Sequence, residues 1–267
     1  MVCFLKNDMT LVSIITVCFN SEKTIKDTIE SILNQSYKEI EYIIIDGNST
    51  DTTLEIIKSY NEDFKERNIS YRWISESDKG IYDAMNKGLK MTNGELIGIL
   101  NSDDWYQKNA IEKVVQTNQK NEFSLISGKK NKVNSQKKIL KTLDNKKEIK
   151  KYIKKTMPIN HPATFVHKNV YKKVGFFDTQ YKLSADYDFI FRAFKAKATF
   201  LFTDEIIVNM RNTGATHQTK NLFITAKEDY HIRKKNNINS AWFYYLKRIG
   251  FNYLVIFRNI LRKLLKK

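Results

Sequence analysis

The sequence predicts an α/β fold, a mostly parallel central sheet flanked by helices, with a C-terminal amphipathic helix appended. Three observations predict it. Through residues 11–105, short β-branched runs alternate with segments of helical period, the pattern of βαβ units. Each of those apolar runs ends in an amide or acidic side chain. From residue 240 onward there is no acidic residue, and the stretch divides into a basic and an apolar half when wound as a helix. A chain of 267 residues that is 42% hydrophobic suits one catalytic domain with a modest appendage and excludes wholesale disorder.

Residues 11–19 (LVSIITVCF) form the first strand, bounded by Asn20 and Ser21. Ser21 stands where a helix N-cap belongs, ahead of Ile25, Ile29, Ile32 and Leu33 at helical spacing. Residues 41–45 are the second strand, ending at Asp46-Gly47, and Asp51 is placed to cap a helix carrying Leu54 and Ile57. The third strand, 71–75, ends in the segment 76–80 with Asp78. A helix follows with Ile81, Ala84, Met85 and Leu89 on one face. The fourth strand, 95–100, runs into Asn101-Ser102-Asp103-Asp104. Beyond it the pattern thins. The lysine-rich stretch 129–155 has no strong period and reads as a mobile charged loop or hairpin. Residues 189–194 read as a helix, and 200–202 and 206–208 as two short strands. These boundaries give a catalytic domain over 1–238, with a nucleotide-binding half at 10–105 and an acceptor half at 106–238, and a basic helix at 239–267.

Ligands of open parallel sheets bind outside the carboxyl ends of the strands. Here those ends carry Asn20, Asp46, Asp78 and the pair Asp103-Asp104, a gathering that core packing does not require. Acidic residues meet a nucleotide diphosphate only through a divalent cation, and carboxylate with phosphate oxygens suits Mg2+ or Mn2+. The net charge of +17 points to an anionic partner without choosing among nucleic acid, membrane and phosphorylated substrate. No nucleic-acid-binding signature accompanies it, so no nucleic-acid partner is expected. Cys3 and Cys18 have no metal-ligand spacing and suggest a reducing compartment, with Cys18 a small core residue. No secretory signal is read, and the apolar run at 11–19 is far short of the ~20 residues a membrane span needs.

Four segments in order, IITVCFN at 14–20, IIDGNSTD at 44–51, DKGIYDAMNKG at 78–88 and GELIGILNSDD at 94–104, resemble the family 2 glycosyltransferases with a GT-A fold. A thinner likeness continues through HPATF at 161–165, VGFFD at 174–178, ADYD at 185–188 and RNTG at 211–214. The central DKGIYDAMNKG segment resembles enzymes of O-antigen and capsule assembly. The resemblance implies a nucleotide-sugar donor, with a UDP-type base most usual, and single-displacement inversion at the anomeric carbon. It implies that Thr16, Val17, Phe19 and Asn20 line the nucleotide pocket, that Asp46 accepts hydrogen bonds from the base, and that Asp78 lies near base or ribose. It further implies that Asn86 and Lys87 position the diphosphate, that Asp103 contacts ribose or sugar, and that Asp104 is the chief metal ligand. The place of a further Asp is taken by Asn101, so the motif is Ser-Asp-Asp.

The family's general base is commonly the Asp of a Glu-Asp pair before an aromatic-rich helix. The matching pair here is Ala185-Asp186, which makes Asp186 the catalytic candidate. Arg211 is a candidate partner of phosphate oxygens and His217 a candidate metal ligand, while His161 reads as a packed structural residue. The C-terminal helix places Lys247, Arg248, Asn252, Arg258, Arg262, Lys263 and Lys266 on one half of its wheel, and Tyr253, Leu254, Phe257, Ile260, Leu261 and Leu264 on the other. Either it lies on an anionic membrane surface or it docks on the catalytic domain with a solvated basic face. The expected acceptor is a polyprenyl-diphosphate-linked glycan, and the expected location is cytoplasmic, peripheral on the inner face of the cytoplasmic membrane. Two other functions are weighed. A sugar-phosphate nucleotidyltransferase shares the two-carboxylate chemistry, and a Rossmann-type nucleotide binder is disfavoured because the turn at 20–24 lacks a Gly-rich phosphate loop.

Overall fold

The computed structural model describes residues 9–212 and 221–264. His217 and the end of the RNTG segment lie outside the described residues. The chain runs β1 (Val12–Cys18), α1 (Ile25–Leu33), β2 (Ile40–Asp46), α2 (Thr53–Ser59), α3 (Asn61–Glu66), β3 (Ser70–Ser75), α4 (Ile81–Met91) and β4 (Leu96–Asn101). It continues through β5 (Trp105–Tyr106), α5 (Ala110–Asn118), β6 (Ser124–Val133), β7 (Ile139–Leu143), α6 (Ile149–Tyr152) and a 3-10 turn (His161–Ala163). Then come β8 (Thr164–His167), α7 (Lys168–Val174), α8 (Ala185–Lys195), β9 (Thr199–Arg211), α9 (Asn221–Lys235) and α10 (Ala241–Leu264).

The strands form one sheet in the order β3-β2-β1-β4-β8-β6-β9-β5, with β7 paired to β6. The first four are parallel, as the βαβ pattern requires. Beyond residue 105 the sheet is mixed. There β8 is antiparallel to β4 and β6, and β5 is antiparallel to β9, while β6 and β9 are parallel. A parallel strand covered on both faces must be apolar on both, and all of β1 is buried. Its Ile15 and Val17 face a core shared with α4, α7 and α8, whereas Val12, Ile14 and Cys18 face one shared with α1, α2, α3 and α5. Each fully buried Ile of this layer contributes at most about 2–3 kcal/mol. Close approach of α4 to β1 requires Gly88, because a Cβ there would stand 2.5 Å from Cγ2 of Ile15.

Two local expectations are corrected, and of the two readings of the lysine-rich stretch the hairpin is the one that forms. Ser21 does not cap α1, which begins at Ile25; its hydroxyl is drawn across to that of Ser102, 2.8 Å away, and only its carbonyl serves the turn. Residues 200–202 and 206–208 belong to one strand, β9, and the polar residues between them fall where the β6–β9 register shifts. The lysine-rich stretch holds the β6–β7 hairpin. Its turn is closed by Asn134, whose Oδ1 accepts from the N–H groups of Gln136 and Lys138 at 3.1 and 2.9 Å.

The C-terminal helix α10 packs on α9 through side chains from both halves of its wheel, Asn252 of the basic half and Tyr253 of the apolar half. Asn252 is fully buried and its Nδ2 donates to the Leu222 carbonyl at 2.9 Å. Tyr245 packs beside Tyr230 of α9 with ring centroids 5.3 Å apart. Trp242, Phe243, Leu246, Phe251, Tyr253, Leu254 and Phe257 all face solvent, each at least half exposed. So the helix is docked on α9 and also presents an apolar face outward.

Candidate active site

Parallel strands β1, β2, β3 and β4 deliver their carboxyl ends to one side of the sheet, and a cavity of about 790 Å3 opens there. Val17, Phe19, Asn20, Asp51, Asp78, Asn101 and Asp103 are among its walls. The loops that form it hold one another by short polar side chains. Asn20 adopts the left-handed conformation at φ 49°, which Asn tolerates, and its Oδ1 accepts from the Thr50 N–H at 2.8 Å. Its own N–H donates to Oγ of Ser49 at 2.8 Å. Asp51 accepts from the N–H groups of Glu22 and Thr53 at 3.2 and 3.0 Å, fastening the β1 loop to the start of α2. Phe19 projects into the mouth with 61% of its surface exposed, an aromatic face free to stack on a planar ring.

Several expected contacts lie elsewhere. Asp46 is fully buried, and its carboxylate is occupied by the Ser49 N–H at 3.1 Å, the Ser75 hydroxyl at 2.6 Å and the Ser49 hydroxyl. It organises the loops beneath the cavity instead of lining it. Thr16 is likewise buried, and its Oγ1 accepts from the Tyr42 hydroxyl at 3.0 Å, because strand alternation turns it away from the cavity that Val17 reaches. Asn86 is spent on the backbone of Phe177, with its Nδ2 donating to the carbonyl at 2.9 Å and its Oδ1 accepting from the N–H at 3.0 Å. Lys87 pairs with Asp78 and Glu76 at 2.6 and 2.8 Å, so it braces the wall residue Asp78.

The Asp103-Asp104 pair divides its labour. Asp103 lines the cavity, while Asp104 is 1% exposed, with Oδ1 accepting from the Arg211 N–H at 3.0 Å and Oδ2 buried and without a hydrogen-bond partner among the described residues. Burial, reinforced by the charge of Asp103, pushes the Asp104 carboxyl well above the usual carboxylate range. The Arg211 side chain does not reach the cavity. Its guanidinium bonds the Asp103 carbonyl and the Asp27 carboxylate and stacks over Trp105 at 4.7 Å. Lys137, from the β6–β7 turn, meets the same Asp27 at 2.7 Å. Burial opposes ionisation of Asp27, but hydrogen bonds from Lys137 and Arg211 outweigh it and hold its carboxyl below the usual range. Asp27, Trp105 and Lys137 carried no signal in the sequence, since the contacts join residues far apart in the chain.

An orphaned buried carboxylate oxygen beside a second carboxylate is what a divalent cation would relieve. Among the described residues no group of three or more His, Cys, Asp or Glu converges. Two carboxylates nevertheless fit Mg2+ or Mn2+ of the kind bound by one or two carboxylates together with substrate phosphates.

In the second half of the chain, Asp186 opens helix α8, and its Oδ1 accepts from the Tyr187 N–H at 2.8 Å and the Tyr82 hydroxyl at 3.2 Å. Lys130 of β6 lies within the field of both Asp104 and Asp186. Burial nonetheless holds its ammonium below the usual lysine range. The ring of His161 stands edge-on to Phe177 at 5.9 Å, and desolvation holds it below the usual histidine range, in keeping with a packed, neutral residue. The sequence reading missed Lys130 and Tyr82. Tyr82 sits within the DKGIYDAMNKG segment, but nothing local shows that it reaches a residue more than a hundred positions away.

The family model described as Glycosyl transferase family 2 matches residues 13–175. An uncharacterised glycosyltransferase of Rickettsia typhi is 27% identical over 248 residues, covering 90% of this chain and 72% of that protein. A putative teichuronic acid biosynthesis glycosyltransferase of Bacillus subtilis, TuaG, is 36% identical over 106 residues, covering 40% of this chain and 41% of that protein. Among solved structures, S. aureus TarS 1-349 in complex with UDP-GlcNAc superimposes with a TM-score of 0.65 at 19% identity, covering 84% of this chain and 64% of that one. A mannosyltransferase of Pyrobaculum calidifontis in complex with GDP-Man and Mn2+ gives 0.66 at 14% identity, covering 86% and 65%. The chain thus spans somewhat under two thirds of these solved chains.

Proposed function

The chain belongs to glycosyl transferase family 2, and from that premise we propose that it transfers a sugar, with inversion, from a UDP-sugar to a hydroxyl of a lipid-linked glycan destined for the cell surface. The observation that carries this reading is the cavity at the carboxyl ends of β1 to β4, walled by Phe19, Asn20, Asp78 and Asp103. In this reading Phe19 stacks on the base, Asp78, braced by Lys87, meets base or ribose, and Asp103 meets ribose or sugar. Asp104 would hold Mg2+ or Mn2+, and the cation when bound would offset the negative charge that develops on the leaving group.

The chain's own residues do the rest. The carboxylate of Asp186 takes the proton of the acceptor hydroxyl, and that oxygen forms the new bond to the anomeric carbon. The bond from anomeric carbon to diphosphate breaks with its electron pair leaving on UDP. TarS with UDP-GlcNAc supports a UDP-sugar, and the name of TuaG supports a cell-surface product.

A panel of UDP- and GDP-sugars incubated with the protein and Mn2+ should yield free nucleoside diphosphate from a UDP-sugar. Release of pyrophosphate from UTP and a sugar phosphate would instead identify a nucleotidyltransferase, and GDP release alone would move the donor class.

The reading of the acceptor's lipid and of the location rests on α10. Among the described residues no helix is long and apolar enough to cross a membrane. Its outward face of Phe243, Leu246, Phe251, Leu254 and Phe257, with the exposed Lys247 beside it, suits insertion at an anionic headgroup boundary. The proposed site is the inner face of the cytoplasmic membrane, where a polyprenyl-diphosphate-linked acceptor is presented. Replacing Phe243, Phe251 and Phe257 together by Ser should abolish co-sedimentation with vesicles containing phosphatidylglycerol while donor hydrolysis continues. Unchanged sedimentation would dismiss the helix as the anchor.

A further inference from the structure

Helix α4 belongs to the donor half, yet it serves both sides of the crevice. Its approach and first turn supply Asp78, Gly80, Ile81 and Ala84 to the donor cavity. Tyr82 and Asn86, one helical turn apart on another face, point into the acceptor half. Asn86 fixes the Phe177 backbone from both sides, and Tyr82 packs its ring on that of Phe177 at 5.5 Å. So held, Tyr82 is 7% exposed and places its hydroxyl 3.2 Å from Oδ1 of Asp186. That oxygen also accepts the Tyr187 N–H at 2.8 Å. Both donors fall on Oδ1, so the carboxylate is pinned at one end, and among the described residues no hydrogen bond reaches its other oxygen, Oδ2.

Resting on the reading of Asp186 as the base, we propose that Tyr82 is a positioning residue of the transfer, a donor-side hydroxyl that fixes the Asp186 carboxylate for proton abstraction from the acceptor. The hydroxyl is the informative atom, because a ring alone would satisfy the packing on Phe177. Burial, and then the Asp186 charge, push the Tyr82 phenol well above its usual range, so it remains a donor throughout any working pH. A donor to a carboxylate favours the charged form. The other groups acting on Asp186 are Lys130 from β6, His161 from the 3-10 turn and Asp229 from α9, and Glu228 of α9 acts on Tyr82. Lys130, His161 and Asp229 persist when Tyr82 is changed to Phe, so the substitution removes only the hydroxyl, with its hydrogen bond to the Asp186 carboxylate and its interaction with the Asp186 backbone.

The test follows UDP release from the best UDP-sugar of the panel, as a function of pH, for wild type, Tyr82→Phe, Asp186→Asn and the double variant. Tyr82→Phe should lower kcat by about ten-fold, leave the donor KM within about two-fold, and move the acid limb of the kcat profile to higher pH. In the Asp186→Asn background it should change nothing further. Unchanged kcat and acid limb in Tyr82→Phe, with Asp186→Asn inactive, would overturn the positioning role while leaving the base in place. An active Asp186→Asn removes the base reading itself. Should Tyr82→Phe fail to fold, 2,3-difluorotyrosine at position 82, a stronger donor of similar size, should move the acid limb to lower pH. An unmoved limb there refutes the proposal.

Discussion

Asp186→Asn should reduce sugar transfer by about 10²–10⁴-fold, the range a positioned general base contributes, with the melting temperature nearly unchanged. The substitution keeps the shape of the side chain, and an amide oxygen accepts the Tyr187 N–H and the Tyr82 hydroxyl as the carboxylate oxygen does. What is lost is the capacity to take a proton. The acceptor hydroxyl is then a poor nucleophile while the donor cavity is intact, so the donor KM should stay close to that of wild type. Measuring kcat and KM by UDP release, with a thermal melt on the same preparation, separates chemistry from folding. Turnover near that of wild type would take Asp186 out of its role.

Asp104→Asn should abolish transfer to a similar extent and yet leave the isolated protein about as stable as wild type, within about 1 kcal/mol. The sign of the pH dependence follows from the raised Asp104 carboxyl. Burial and the charge of Asp103 disfavour its ionised form, so folding is favoured while it is protonated. That advantage is fully present below the unfolded-state value of about 3.9 and is lost as pH rises toward the folded-state value. Asparagine copies the protonated shape at every pH. Melting curves of the variant should therefore be flatter with pH than those of wild type, and the two should converge in acid. Mn2+ with UDP should raise the wild-type melting temperature by mass action and leave the variant unmoved. Equal stabilisation of both proteins would exclude Asp104 as a cation ligand.

Residues 10–105 were legible because their signals are local. Apolar runs such as residues 12–18 mark strands buried on both faces, and Ile25, Ile29 and Ile32 keep helical spacing. The positions of Asn20, Asp78 and Asp103 at strand ends then placed them on the cavity wall. Asp46 was equally conspicuous and does not line the cavity, because which side of a strand end faces ligand depends on the loops folded over it. Here Ser49 and Ser75 claim its oxygens. Beyond residue 105 the sheet changes to mixed pairing, and its long-range partners leave no period in the chain. The single long β9 was accordingly hidden, and the β6–β7 hairpin was legible only as one of two alternatives.

By itself the amino-acid sequence determined the parallel half of the sheet, the crevice at its carboxyl edge, the acidic turn at Asp103-Asp104 and the family to which the chain belongs. These depend on residue spacing and on neighbours a few positions apart, which backbone geometry converts directly into place. Only the tertiary structure decided how those residues are used. It turned Arg211 onto Asp27 and Trp105, committed Asn86 to Phe177, brought Tyr82 to Asp186, and faced the aromatic side of α10 outward. Each of those outcomes is a competition among distant groups for one hydrogen bond, charge or surface, and it is settled when the two halves of the chain pack together.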